Sequence, residues 1–359
     1  MNPRVLILSR HDRSGGGSRV RMLDYAPYLQ DAGWQVDTQP FFDESYLVEL
    51  YGGRRPSLAY LSWRYALRVA RMMKLRPYDL VWIEKETLPY IPSLLETLFL
   101  GRAPYALDYD DAWFHRYDLN PRKIVRWSLG NKLDRLMSRA NMVVVGNAYL
   151  ASRALSAGAP QVEILPSVIK LSRYSATERR RDGPVVIGWI GSPSTAVYLQ
   201  HVAEQLGQAC AGGRAILRLI GSGPIDLPGV PHEVLNWSEE TECEELRRFD
   251  IGIMPMVDGP WERGKCGYKL IQYMASGRPM IASPVGVNRN IVEHGVNGLL
   301  AERPEDWLGA LNTLIDSPEL CAAMGAAGRA KVERFYTLDS TAPRLIGALE
   351  SAMTGRRKH

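Results

Sequence analysis

The sequence predicts an α/β protein built as two successive Rossmann-like domains. Short β-branched runs alternate with amphipathic helical stretches in both halves, the mark of a parallel sheet covered by helices. The alternation lapses once, between Val168 and Pro184, in a polar run with Lys170, Arg173, Glu178, Arg179, Arg180, Arg181 and Asp182, which reads as an interdomain linker. The 359 residues are too many for one ordinary domain and suit two of roughly 150 to 180 residues, each with its own core.

In the first half, strands are expected at residues 5–9, 35–39, 80–84, 105–108 and 142–146, with a Gly-rich loop at 14–18 and a helix from 19 to 32 closed by Gly33. In the second, strands at 185–190, 215–220, 251–254 and 279–283 and a strand-like run at 232–235 alternate with helices at 195–210 and 269–276. Helices at 305–335 and 338–353 close the chain. The expected division is therefore a domain at 1–170, a linker at 171–184, a domain at 185–335, and a final helix with a basic tail at 336–359.

Hydrophobic residues at 46% and charged residues at 23% give the balance of a soluble globular protein. The opening apolar run is too short for a signal peptide, and no stretch approaches the roughly 20 apolar residues of a membrane-spanning helix, so a cytoplasmic protein is expected. Cys210, Cys243, Cys266 and Cys321 have no paired spacing, which argues against a disulfide framework or a zinc site. The net charge of +5 is spread along the chain, and no basic stretch interleaved with aromatics suggests nucleic acid.

Three expected strands run into small residues and a helix start: at Gly16 and Gly17, at Gly191, Ser192 and Thr195, and at Gly221 and Gly223. Such turns offer unhindered backbone N–H groups to an anion, although any doubly wound sheet makes corners this way. The first lacks the Gly-x-Gly-x-x-Gly spacing and a clear acidic residue ending the second strand, which counts against a nicotinamide dehydrogenase.

The richest stretch runs from Trp261 through Arg263, Gly264, Lys265, Lys269 and Gln272 to Ser283. Lys265 lies in a Gly-flanked loop, while Lys269 and Gln272, three apart, share a helix face. A lysine at a helix N-terminus opposes the helix dipole unless an anion is bound there. The alternative is a solvated basic loop.

The residues Gly267-Tyr268-Lys269-Leu270-Ile271-Gln272-Tyr273-Met274-Ala275-Ser276-Gly277-Arg278-Pro279, then Pro284-Val285-Gly286 and Glu293-His294-Gly295-Val296-Asn297-Gly298, resemble the donor-binding segment of the retaining GT-B glycosyltransferases of family GT4. The resemblance extends more faintly over most of the chain. It implies a GT-B fold, two Rossmann-like domains facing each other across a cleft, with the final helix returning toward the N-terminal domain. It implies transfer, with retention, from a nucleoside diphosphate sugar in the C-terminal domain to a hydroxyl of a glycan or lipid-linked acceptor, without a metal or other cofactor, as in bacterial surface polysaccharide synthesis. Two departures stand out: the family's paired glutamates are replaced by Gly264 and Gln272, with Glu262 an uncertain substitute, and its Arg and Lys after the first C-terminal strand are replaced by Ser192, Pro193, Ser194 and Thr195. Phosphate neutralisation is then left to backbone amides and to Arg263, Lys265 and Lys269, and Trp237 falls where the family's backbone meets the nucleobase, with a packing role equally open.

On the acceptor side the strand at 105–108 runs into Asp110, Asp111 and His115. Asp110 or Asp111 could orient a hydroxyl and, with a raised pKa, take its proton; a helix cap is the alternative. Arg19, Glu84 and Glu86 are further candidates, the two glutamates reading first as surface charge. Between Leu58 and Lys74, a face of Leu61, Tyr65, Val69 and Met72 is flanked by Arg64, Arg68, Arg71 and Lys74, as in a helix packed on its own domain with a solvated basic flank. The alternative there is peripheral contact with an anionic membrane. Rival functions are a catalytically weak sugar-nucleotide or glycan binder and a sugar-nucleotide epimerase.

Overall fold

The computed structural model describes residues 2–176 and 183–354. Within the expected linker, Glu178, Arg179, Arg180, Arg181 and Asp182 lie outside the described residues, as does the basic tail at 355–359. The strands are β1 Arg4–Leu8, β2 Gln35–Thr38, β3 Leu80–Glu84, β4 Tyr105–Tyr109, β5 Met142–Val145, β6 Val162–Ile164, β7 Val185–Ile190, β8 Ala215–Ile220, β9 His232–Leu235, β10 Ile251–Met254, β11 Met280–Ala282 and β12 Gly298–Leu300. They form two six-stranded sheets ordered β2-β1-β3-β4-β5-β6 and β12-β11-β10-β7-β8-β9. Every pairing is parallel.

The described chain divides into two compact units: one contains the residues up to Ser167, Arg263–Cys266 and the segment from Leu338, the other Val168–Glu262 and Gly267–Thr337. Strands β1, β3, β4 and β5 are almost wholly buried, as expected where helices cover both faces of a parallel sheet. The helix Leu338–Thr354 packs in the first unit, where Tyr25 Oη meets Thr341 Oγ1 at 2.7 Å and Tyr28 Oη donates to Asp339 at 2.7 Å. In the second unit, Trp189, Leu217, Ile251 and Ile281 pack with Leu311 and Leu314 of the helix Pro304–Asp316. Strand order reverses between β1 and β3 in one sheet and between β7 and β10 in the other. Ligands of open α/β sheets bind at the carboxyl ends of strands beside such switch points.

Several expected elements are broken, and two prolines account for two of the breaks. The helix expected at 19–32 begins earlier, as Gly16–Arg21, so the loop is shorter than expected; it then passes through a 3₁₀ turn before Ala26–Asp31, where Pro27 sits in the first turn. The helix expected at 305–335 divides into Pro304–Asp316 and Pro318–Phe335 at Pro318, whose missing N–H suits a first turn. The helix expected at 195–210 is instead Pro193–Ala196, a 3₁₀ stretch and Ala203–Cys210.

The basic flank of the helix Leu58–Met72 is only partly solvated: Lys74, beyond its end, is exposed, while Arg71 donates to Tyr78 Oη at 3.0 Å. Arg68 is buried and donates to the carbonyls of Ser9 and Gln39, and Arg64 donates to those of Pro40 and Phe41. These guanidinium groups satisfy carbonyls at the ends of β1 and β2.

Candidate functional site

At the carboxyl ends of β1, β3 and β4, the first unit gathers a dense set of charges. Glu84 ends β3, and its carboxylate accepts from the Arg10 backbone N–H at 2.7 Å and from Ser18 Oγ. Lys85, held at φ 64°, sends its ammonium to within 2.9 Å of Asp110, 3.3 Å of Asp111 and 3.7 Å of Glu84. Left-handed backbone in a lysine costs on the order of 1–3 kcal/mol and persists only where surrounding contacts impose it. Burial works against the charged lysine, but the three carboxylates outweigh it and raise its pKa. Burial would likewise raise Asp110, yet Lys85, supported by Arg21 and Lys265, holds its pKa below the usual carboxylate range.

The raised aspartate is Asp108. Burial pushes it up to about 6 although Arg21 grips both its oxygens, through Nε at 2.8 Å and Nη2 at 3.3 Å. Gly17 closes the cluster from above β1, since a Cβ there would lie 2.9 Å from Asp110 Oδ2 and 3.6 Å from Glu84 Oε1. Behind it, Glu86 accepts from Trp113 Nε1 at 2.7 Å, from Tyr117 Oη and from Lys132, whose ammonium also meets Glu96 at 2.8 Å. Among the described residues no group of three or more His, Cys, Asp or Glu could hold a metal ion; the front carboxylates surround an ammonium instead.

In the second unit, β7 ends at Gly191, and Ser192 precedes the short helix Pro193–Ala196. Lys269, in the first turn of the helix Tyr268–Ala275, extends over the Trp189 ring at 3.9 Å and reaches Thr195 Oγ1 at 3.3 Å. A Cβ at Gly191 would lie 2.4 Å from the Lys269 ammonium, so only glycine lets the ammonium sit against this turn. Gly221, at the end of β8, has a φ of 75°; a Cβ there would stand 2.5 Å from the Gly191 carbonyl and 3.0 Å from Trp237. One cation, one hydroxyl and a turn of small residues thus meet beside the β7/β10 switch point, a donor set suited to a diphosphate.

Residues 185–317 match the family model of glycosyl transferases group 1. D-inositol 3-phosphate glycosyltransferase of Thermobispora bispora is 34% identical over 202 residues, 54% of this chain and 40% of that protein. Its namesake in Streptomyces griseus is 33% identical over 230 residues, 62% of this chain and 43% of that protein. The chain therefore matches less than half the length of either relative. Residues 185–317 belong to the glycosyl transferases group 1 family. The fold is GT-B: sucrose-phosphate synthase of Thermosynechococcus elongatus superposes with a TM-score of 0.73 at 14% identity, covering 99% of this chain and 100% of that one. Anabaena HepE in complex with UDP-glucose gives 0.70 at 17%, covering 97% and 99%.

Within the group 1 domain, the structure brings Gly191, Ser192, Thr195 and Lys269 together, with Trp237 beside Gly221. Trp237 donates from Nε1 to Glu242 at 2.7 Å, and Gln272 is buried, its amide donating to Tyr174 Oη at 3.3 Å. Arg263, Gly264 and Lys265 cluster with the first unit. There Asn147 Nδ2 donates to the Gly264 and Lys265 carbonyls at 3.0 Å each, and a Cβ on Gly264 would stand 2.5 Å from Ala112 Cβ. No carboxylate fits at Gly264, and Glu262, in the second unit, accepts from Tyr198 Oη.

In the first unit the structure collects Glu84, Asp110, Asp111 and Gly17, leaves Gly16 exposed and buries Arg19. One acceptor-side expectation needs correction. Glu84 and Glu86 are buried, not surface charge, and Glu86 is occupied on both oxygens. Asp110 carries a lowered pKa, because Lys85 stands against it, and so lacks the raised pKa that would suit general-base work. His115 has both ring nitrogens engaged, with Asp118 and Tyr149 Oη at 2.8 Å each, a positioning arrangement. Sequence reasoning missed Lys85, Asp108, Arg21 and Lys132; their positions just after or inside the central strands and on neighbouring helices were the available signal.

Proposed function

We propose that the chain is a glycosyltransferase that moves a sugar from a nucleoside diphosphate donor to a hydroxyl of a glycan or lipid-linked acceptor. The observation that carries this reading is the Lys269 ammonium held against the Gly191 turn and Thr195 at a strand-order reversal. In the reaction the bond between the anomeric carbon and the diphosphate oxygen breaks, the acceptor oxygen bonds to that carbon, and its proton passes to the departing diphosphate or to water. Lys269 and the amides of the turn would stabilise the charge growing on the departing diphosphate. Retention of configuration, metal independence and a cytoplasmic role in bacterial surface-glycan assembly follow from the family resemblance.

Asp110 and Asp111 are the residues we assign to the acceptor. Asp110, kept ionised by Lys85, suits accepting a hydrogen bond from a hydroxyl better than storing its proton. The HepE complex makes UDP-glucose the first donor to try, and the relatives' name makes an inositol phosphate the first acceptor. A thermal-shift screen of nucleotide sugars, which stabilise only the state that binds them, finds the donor. Transfer is then followed with Asp110→Asn and Asp111→Asn. Both should depress transfer while sparing nucleotide affinity, and lost nucleotide affinity would move the aspartates to the donor side.

A second reading, a binder without useful catalysis, is favoured by the packing at Gly264, which leaves no room for a carboxylate. A protein that binds a donor yet releases no sugar with any acceptor would support it.

A further inference from the structure

Strand β1 leaves its sheet through Ser9 and Arg10, and Arg10 is held at both its backbone and its side chain. The backbone N–H donates to Glu84 at 2.7 Å, while the half-buried guanidinium lies over the Trp113 ring at 4.3 Å and near the Phe42 ring at 5.5 Å. Both rings are buried and fixed in turn: Trp113 donates from its indole to Glu86 at 2.7 Å, and Phe42 stacks on Tyr46 at 3.8 Å. Among the described residues the guanidinium has ring partners but no carboxylate or carbonyl to donate to. Other arginines of this unit are spent, Arg21 on Asp108, Arg64 and Arg68 on carbonyls, and Arg153 on Asp118 and Asp134.

An arginine keeps its charge at any ordinary pH and carries five N–H donors in a fixed plane. Stacking on an aromatic face stabilises the charge but leaves those in-plane donors unfilled. Half burial also removes part of the water that would otherwise fill them. A bidentate oxyanion, phosphate or carboxylate, matches such a fork, and the two rings hold the fork ready for it.

The position of the fork selects the substrate that would bring the oxyanion. The Lys85 ammonium stands 4.8 Å from the same indole, 2.9 Å from Asp110 and 3.3 Å from Asp111, the residues assigned above to the acceptor hydroxyl. Arg116 also lies over Trp113, at 4.0 Å, and adds positive charge there. A hydroxyl at the aspartates and an oxyanion at Arg10 would orient an acceptor by two unlike ends.

We propose that Arg10, stacked on Trp113, forms a subsite for a phosphate or carboxylate group of the acceptor, so that anionic acceptors are selected over neutral ones. The proposal rests on the transfer reading and deepens its acceptor side. Anion binding is measured without nucleotide or transfer, so failed transfer leaves the subsite standing, and a failed subsite leaves transfer standing.

Inorganic phosphate and acetate are titrated into the full chain by calorimetry at constant ionic strength, followed by myo-inositol 1-phosphate, glucuronate and neutral myo-inositol. Phosphate or acetate should bind saturably, and the one that binds names the group. The same titrations with Lys269→Ala remove the cation of the proposed donor turn, and anion binding should survive that change. Arg10→Gln should weaken it at least tenfold at an unchanged melting temperature. Arg10→Lys, which keeps the charge and loses the fork, should weaken it less. Arg13→Gln, at an exposed arginine of the same loop, should bind as the parent does. In transfer, Arg10→Gln should raise KM for an anionic acceptor at least tenfold while changing kcat little. Binding of neither anion, binding unaltered by Arg10→Gln, or an inositol bound as tightly as its phosphate and as glucuronate overturns the proposal. So does anion binding that Lys269→Ala abolishes, or nucleoside-diphosphate affinity that Arg10→Gln abolishes, either of which would assign the anion to the donor.

Discussion

Replacing Lys269 with alanine tests the proposed donor site most directly. Lys269 is partly buried, with its ammonium 3.9 Å from the Trp189 ring centroid and 3.3 Å from Thr195 Oγ1. A hydrogen bond to a charged group contributes about 1.5–3 kcal/mol. Its loss should weaken nucleoside-diphosphate binding by roughly ten- to 150-fold. The assay is calorimetry with the nucleoside diphosphate that gives the largest thermal shift, and with its parent nucleoside. Only the diphosphate should lose affinity, because the lysine faces the turn and not a base-binding group. Gly191→Ala supplies an independent approach: its Cβ would lie 2.4 Å from the same ammonium and 2.8 Å from Trp189, so the head of the lysine must leave the turn. The losses from the two substitutions should then overlap in a double-mutant cycle. A diphosphate affinity within twofold of the parent, or an equal loss for the nucleoside, would refute the reasoning.

Gly264→Glu, which restores a carboxylate on paper, should cost about 1–3 kcal/mol in urea denaturation and restore no transfer, since overpacking forces the neighbours aside and the obstructing atoms are Ala112 Cβ and backbone N at 2.5 and 2.6 Å. A variant as stable as the parent would contradict that packing. Lys132→Met should destabilise the first unit by about 3–5 kcal/mol at neutral pH by stranding buried carboxylates. Burial and Glu86 already raise the Glu96 pKa despite Lys132, so the penalty should shrink at pH 5 as protons bind, and an equal penalty at both pH values would count against it. His11 is held neutral, its pKa brought down to about 3 by burial and then by Arg10 and Lys85. The folded state therefore binds fewer protons than the unfolded chain between about 3 and the ordinary histidine value. Stability from this source is complete above that window and falls as pH drops through it, by at most about 1.4 kcal/mol per pH unit. Melting curves should show a shallower acid decline for His11→Gln than for the parent; parallel declines would exclude His11 as the cause.

The strands carrying the two sites were legible because central parallel strands are buried on both faces and leave continuous apolar runs. Strand β3 is found where that pattern places it, and β7, β8 and β10 likewise. The short edge strands β6 and β12, three residues each, leave too little pattern to recognise. The breaks at Pro27 and Pro318 were available in the sequence through the preference of proline for a first turn, although Pro343 sits inside the helix Leu338–Thr354 without ending it. Lys269 and the Gly191 turn were legible for a different reason: glycine, small residues and a lysine beginning a helix make little sense as core.

The first unit's charges were not legible because sign and burial there are decided by residues far apart in sequence. Glu84 and Glu86 end an apolar strand, which locally reads as a strand leaving the core; it is Ser18, Trp113, Tyr117 and Lys132 that let them stay inside. Asp108, Asp110 and Asp111 look interchangeable in sequence, yet Arg21 clamps the first and Lys85 holds the other two. That division bears on chemistry. The aspartate with the raised pKa is buried against an arginine, while Asp110, beside the turn of Gly17, is kept ionised. A carboxylate held below the usual range binds a hydroxyl proton weakly, so under the proposed function this cluster would orient an acceptor more than deprotonate it. In the proposed transfer the burden would then fall on stabilising the departing diphosphate, which returns to Lys269 and the turn it occupies.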